Sequence, residues 1–198
     1  GLKYLILGAL SSAILLFGIS LVYAVTGTTV IADMAVGFFL EPVMIAGIIL
    51  ILAGFAFKIS LVPFHMWAPD IYQGAPIPVT AFLSVGSKAA AFAALVRVFI
   101  IAFPVSTFDW PLLLAVLAAI TIVVGNLIAL AQTDIKRLLA YSSIAQAGYI
   151  IVGLAAYNVY GVKGVLFYSM LYVFSNLGAF AAATVVEVET GSTDIKAF

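Results

Sequence analysis

Residues 43–67 read "VMIAGIILILAGFAFKISLVPFHMW", and the fold turns on how this stretch is read. Residues 43–57 carry no charge; Lys58, Pro63 and His65, the only histidine of the chain, then follow within eight positions. A membrane helix needs about 20 mostly apolar residues, so this one reaches full length only by running past a cation and a helix breaker. Pro63 has no N–H to give the Ile59 carbonyl, and its ring clashes there. The pattern predicts a spanning helix that breaks near Pro63, just after Lys58.

The rest of the composition agrees with a membrane setting. Of 198 residues, 66% are hydrophobic and 8% are charged, with a mean hydropathy of +1.30. Soluble domains carry about 25% charged residues, so a water-soluble fold is excluded. Net charge is zero with no basic block, which excludes nucleic acid as a partner. The chain has no cysteine, so it offers no disulfide, thiolate metal site or iron–sulfur ligation. One histidine cannot build a multi-histidine haem or metal site. No cofactor and no metal is expected in this chain. There is no cleavable leader pattern, and the apolar run begins at Gly1 without Met, from which we expect a piece of a longer protein.

Six windows are long and apolar enough to span, at approximately 4–25, 43–67, 79–103, 110–132, 138–158 and 164–186. They are expected to form one membrane region, 1–198, separated by "TGTTVIADMAVGFFLEP", "APDIYQGAPIP", "PVSTFD", "TDIKR" and "NVYGVK". Lipid admits only helices or closed barrels, and barrel alternation is absent. The expected fold class is all-α, a multi-pass transmembrane helical bundle of about six spans. The excess of Lys and Arg in short loops faces the cytoplasm, which places Lys3, Lys136, Arg137 and Lys196 there. Lys163 falls on the other side, with Arg97 near that end, beside Asp33, Glu41 and Asp109.

Lys58 and Lys88 stand apart from these loop charges. Lys88 has about ten residues of its span before it, roughly 15 Å at 1.5 Å per residue, which puts it near the midplane. Lys58 lies about 22 Å along its own span. An ammonium at a helix centre costs roughly 2.5–3.5 kcal/mol, enough to make a lysine that gives up and takes back a proton. The reading is a proton relay through Lys58 and Lys88, with His65 titrating on a hydrated path opened by Pro63. Snorkelling is the bland alternative for the lysines and suits Arg97 better; for His65 it is an interfacial ring beside Trp67. Ser142, Gln146 and Tyr149 on one face of the fifth span form a weaker polar set with Ser175, Asn176 and Asn126. Such residues serve either as glue between helices or as the lining of a hydrated path. Gly8, Ser12, Gly86 and Ala90 suit close helix packing.

The run "FKISLVPFHMWAPDIYQGAPIPVTAFLSVGSKAAAFAALVRVF" (57–99) closely resembles the central region of the subunit N family of proton-translocating NADH–quinone oxidoreductase, respiratory complex I. "GNLIALAQTDIKRLLAYSSIAQAGYIIVGL" and "YSMLYVFSNLGAF" resemble the family's following segments, so the likeness covers nearly the whole chain. The resemblance implies two inverted five-helix repeats, each with a broken helix, in an antiporter-like fold. It makes Lys58 the pumping lysine of the first half-channel, Lys88 the connecting lysine and His65 a polar neighbour on the path. The glutamate partner of Lys58 is expected before Gly1, and the second repeat's lysine after Phe198. It implies other membrane subunits as partners and lipid around the bundle, in the plasma membrane of a prokaryote or an equivalent organelle membrane. NADH, FMN, iron–sulfur clusters and quinone are expected in partner subunits, with quinone touching this chain only indirectly. The alternatives are a cation/proton antiporter of the Mrp type, or a subunit of a membrane-bound hydrogenase or cofactor-F420 dehydrogenase. A non-conducting structural membrane segment is the alternative from another class.

Overall fold

The computed structural model describes residues 1–35, 41–103 and 109–197, among which no strand occurs and a single isolated bridge joins Asp134 to Asp194. Residues 36–40 and 104–108, which belong to two of the expected connections, lie outside the described residues, as does Phe198. The helices are α1 (Leu2–Thr26), α2 (Ile31–Met34), α3 (Pro42–Ile59), α4 (Trp67–Gly74) and α5 (Ile77–Phe82). A π-helical turn (Leu83–Ser87) leads into α6 (Lys88–Ile101), followed by α7 (Trp110–Leu130), α8 (Ile135–Ala155), α9 (Val159–Thr190) and a short 3₁₀ turn, Ile195–Ala197.

Among the described residues, six stretches are long and apolar enough to cross a membrane: α1, α3, Ile77–Ile101, α7, α8 and α9. The 18 residues of α3 make about 27 Å and the 32 of α9 about 48 Å. Their ends follow from local chemistry. Asp109, Asp134 and Asn158 each accept a backbone N–H from the first turn of α7, α8 and α9, at 3.0, 3.0 and 2.8 Å. Gly27 and Gly191, both with φ near 67°, close α1 and α9 in the left-handed conformation that glycine adopts without strain.

Three expected boundaries are corrected by these ends. The second span stops at Ile59 instead of reaching Trp67, and "WAPDIYQG" is itself helical. Asn158 starts α9 early, so Lys163 is helical and not in a loop. Lys136 and Arg137 likewise belong to the first turn of α8.

The surface is the inverse of a soluble protein's. Leu127, Phe167 and Phe174 are about two-thirds exposed, while Lys88 is 1% exposed. Apolar side chains gain little by leaving lipid for protein, so such bundles depend on tight packing. The packing here uses glycine where two backbones meet. A Cβ on Gly161 of α9 would stand 2.2 Å from the Gly153 carbonyl of α8, and one on Gly18 of α1 would stand 2.7 Å from the Gly47 carbonyl of α3. Gly8, expected at such a contact, has nothing within 4 Å and makes none among the described residues. Gly161→Leu is therefore expected to cost about 1–3 kcal/mol of overpacking and Gly8→Leu almost nothing, as read from the unfolding of the chain in detergent micelles.

Candidate functional site

The site begins where α3 ends. Ser60 takes the left-handed conformation (φ 62°), its N–H bonding the Phe57 carbonyl and the next N–H, of Leu61, reaching back to Ala56 at 2.8 Å. This pair of bonds is the Schellman closure of a helix, built here on serine where glycine is usual. The chain has thus left the helix three residues before Pro63. The break falls in the expected place, but its cause is the turn at Ser60 as well as the missing proline N–H. The Val62–Pro63 bond is cis. Trp67 of α4 folds back so that its indole N–H donates to the Phe57 carbonyl at 2.9 Å, and Thr121 of α7 accepts the Val62 N–H at 3.2 Å. The opened backbone is held by protein, as membrane depth demands.

Lys58 occupies the last turn of α3, at the carbonyl end of the helix. It is half-buried and makes no hydrogen bond or ion pair among the described residues. His65 lies in the break, half-buried, with its Nδ1 buried and unpartnered among the described residues.

Lys88 opens α6 directly after the π turn. A π turn holds more residues than an α turn and re-aims everything after it; such turns cluster at functional sites. Lys88 is directed at α8, where its ammonium donates to the Ser143 carbonyl at 3.0 Å and also to the Ser143 hydroxyl. Around this pair lies a buried polar cluster. Asn176 of α9 donates to Ser84 of the π turn at 2.6 Å, and the phenols of Tyr72 and Tyr172 face Ser143. No acidic side chain bonds Lys88 among the described residues. Lys58, His65 and Lys88 share no hydrogen bond or ion pair with one another there; Lys58 and His65 belong to the break, Lys88 to the α6–α8 contact.

The sequence reading found Asn176 but missed Ser143, Tyr72, Tyr172 and Ser84. Its polar stripe of Ser142, Gln146 and Tyr149 is one residue out of phase with the inward face. Gln146 accepts from Tyr168, and Tyr149 from Asn126 at 3.2 Å, on a partly exposed side of the bundle. One buried stripe of α8 runs through Lys136, Ala140, Ser143 and Ala147. Its small residues at helical spacing were a legible signal that the sequence reading did not use.

One end of the bundle gathers the charges. Asp70 pairs with Lys3 of α1 and, at 3.1 Å, with Arg137 of α8, which also bonds Gln73 at 3.0 Å. Lys136 donates to the Ala75 carbonyl at 3.1 Å and lies 3.6 Å from Glu187 of α9. The 3₁₀ turn bearing Lys196 is tied to the same end by the Ile195 N–H on the Thr133 carbonyl, 2.9 Å. The four cations that the charge pattern assigns to one side do meet at one end.

A helical bundle with an interrupted span, a lysine at the interruption and a second lysine buried among hydroxyls defines a class: polytopic membrane proteins with ionisable groups inside the bilayer. The comparisons make this specific. A family model described as "NADH:quinone oxidoreductase/Mrp antiporter, TM" matches residues 1–198, and the chain belongs to that family. It is 58% identical over 199 residues to NADH-quinone oxidoreductase subunit N of Moorella thermoacetica, covering 99% of this chain and 42% of that protein. Among solved structures it is similar to a chain of respiratory complex I from Thermus thermophilus with bound aureothin, with TM-score 0.78 and 47% identity over 91% of this chain and 38% of that one. It is also similar to a chain of the archaeal membrane-bound sulfane sulfur reductase, with TM-score 0.87 and 33% identity over 100% of this chain and 41% of that one. The chain spans less than half the length of these relatives.

The charged end makes a prediction. The Lys3 hydrogen bond, opposed by slight burial and aided by Arg137, holds the Asp70 carboxyl below its usual 3.8. Its stabilising contribution is present above about pH 4 and is lost as the pH falls through the lowered value. Asp70 is 42% exposed, so the contribution is under about 1 kcal/mol. Asp70→Asn is expected to remove this acid-side dependence from melting curves recorded between pH 2 and 7.

Proposed function

We propose that this chain is the central part of a proton-translocating membrane subunit of a complex I-type NADH–quinone oxidoreductase. It moves protons through Lys58 and Lys88 while electrons pass in partner subunits. The observation that carries this reading is Lys88: a fully buried ammonium held only by a serine among the described residues, beside a span that breaks next to a second lysine. A cation kept inside a bilayer without a carboxylate is expensive and is the mark of a functional site. The family match and the relatives named for NADH–quinone oxidoreductase support the same reading.

In this mechanism Lys58 stores the proton at the C-terminal end of α3. His65, next along the break, is the polar stop toward Lys88. A charge change elsewhere in the assembly shifts the balance at Lys58, which releases its proton inward and is then recharged. The redox cofactors, NADH and quinone belong to partner subunits in a prokaryotic plasma membrane. Cation/proton antiport is the second reading, favoured by the family description, which includes Mrp antiporters.

The test is made in the assembled enzyme in membrane vesicles. Lys58→Ala and Lys88→Met are each expected to lower NADH-driven proton uptake about tenfold, the factor for ~1.4 kcal/mol of lost stabilisation of the moving proton. Normal uptake in both variants would overturn the proposal, and ion exchange without any electron donor would favour antiport.

A further inference from the structure

From the middle of the bundle to the end opposite Lys136 and Glu187, a groove runs between α6 and α9. The two helices are tied on either side of it. Asn176 of α9 donates to Ser84 of the π turn, and the Tyr157 hydroxyl, at the corner between α8 and α9, donates to the Phe99 carbonyl of α6 at 3.1 Å. Between these ties the walls are apolar, with Ala89, Ala93 and Val96 on one side and Val162, Val165 and Leu166 on the other. The groove has a volume of about 440 Å³ and opens outward.

One cation lines this apolar slot. Arg97 is exposed and makes no hydrogen bond or ion pair among the described residues, and no acidic side chain among them lines the groove. Lys163, next to Val162 in the second turn of α9, adds positive charge at the same end; its ammonium lies 5.9 Å from the centre of the Tyr160 ring. The depth is that of lipid headgroups. Arg97 follows Lys88 by nine residues, ~14 Å along α6. With Lys88 near the midplane of a hydrocarbon core ~30 Å thick, the guanidinium reaches its edge. Tyr160, 83% exposed, lies where aromatic rings collect at the membrane surface. Snorkelling alone explains a cation at this level, but not the slot that continues ~12 Å below it to Ala89. Ser169, on the α9 wall, has a buried hydroxyl without a hydrogen-bond partner among the described residues, an unmet donor inside the same slot.

We propose that this groove is a binding site for an anionic phospholipid of the leaflet opposite Lys3, Lys136, Arg137 and Lys196. The planar guanidinium of Arg97 takes the phosphate through paired N–H donors, the geometry in which arginine exceeds lysine. Lys163 supplies the second positive charge, and an acyl chain lies along Ala89, Ala93 and Leu166. A zwitterionic headgroup brings its own cation toward Arg97 and Lys163, where no carboxylate lines the groove to receive it, so the site selects net negative charge. The site uses neither Lys58 nor Lys88 and does not depend on which ion the chain moves.

The experiment uses the full-length subunit in its assembled enzyme, held in nanodiscs of phosphatidylcholine. A small, equal fraction of either phosphatidylglycerol or phosphatidylcholine with a photoreactive acyl chain is added, and cross-linked peptides are mapped. Residues 89–101 and 162–169 are expected to be labelled about tenfold more by phosphatidylglycerol, the factor for one charge-assisted hydrogen bond. Arg97→Gln is expected to erase that preference, and Ala93→Trp, which fills the groove with a ring, to remove labelling by both lipids. Equal labelling by the two headgroups in the unmodified enzyme, or an unchanged preference in Arg97→Gln, would overturn the proposal. A cryo-EM map of the unmodified enzyme decides without any variant. Phospholipid density with its phosphate on Arg97 supports the site, and a helix of the subunit or of a neighbour seated in the groove sinks it.

Discussion

Inside a bilayer a helix can stop only if something takes up its last carbonyls, and most of this site follows from how α3 meets that demand. The Ser60 turn satisfies the Ala56 and Phe57 carbonyls from within the chain, and Trp67 adds a second bond to Phe57. Thr121 takes the Val62 N–H from the neighbouring helix α7. The arrangement leaves Lys58 in the last turn of α3. The same fold-back brings α4 against α8, which delivers Tyr72 to Ser143 and Asp70 to Arg137. One interrupted helix thereby connects the lysine of the break, the buried polar cluster and the charged end.

Lys88 shows the opposite economy. Its ammonium is buried against α8, and among the described residues its oxygen ligands come from Ser143 alone. A full ion pair at this depth would hold the proton firmly, because a desolvated charge with an opposite partner strongly favours its ionised form. A hydroxyl and a carbonyl solvate the ammonium without fixing it. Lys136, by contrast, is paired with Glu187 near the surface.

Much of this was legible in the amino-acid sequence, for identifiable reasons. Span length and apolarity are summed over twenty or so residues, so the six crossings stand out against local noise. Asp and Asn caps and left-handed glycines act over three or four residues, and they set the ends of α1, α7, α8 and α9. Lys58, Lys88 and His65 were conspicuous because ionisable residues in apolar runs are rare. The bundle partners were less legible. Ser142 and Ser143 are adjacent and chemically alike, and only the rotation of α8 against α6 chooses between them. The π turn at Leu83–Ser87 has no sequence hallmark that separates it from an ordinary helical turn, yet it aims Lys88.

The sequence by itself determined that this is a membrane helical bundle with six crossings, that one of them breaks beside Lys58, and which cations gather on one side. Those properties depend on composition and short-range backbone chemistry, which a linear chain states directly. The tertiary structure alone decided that Ser143 receives Lys88, that Tyr72 and Tyr172 converge on it, and that Trp67 and Thr121 close the break. These contacts join residues from 10 to 71 positions apart. Their existence depends on helix rotation and crossing, which are fixed only when all the helices pack together.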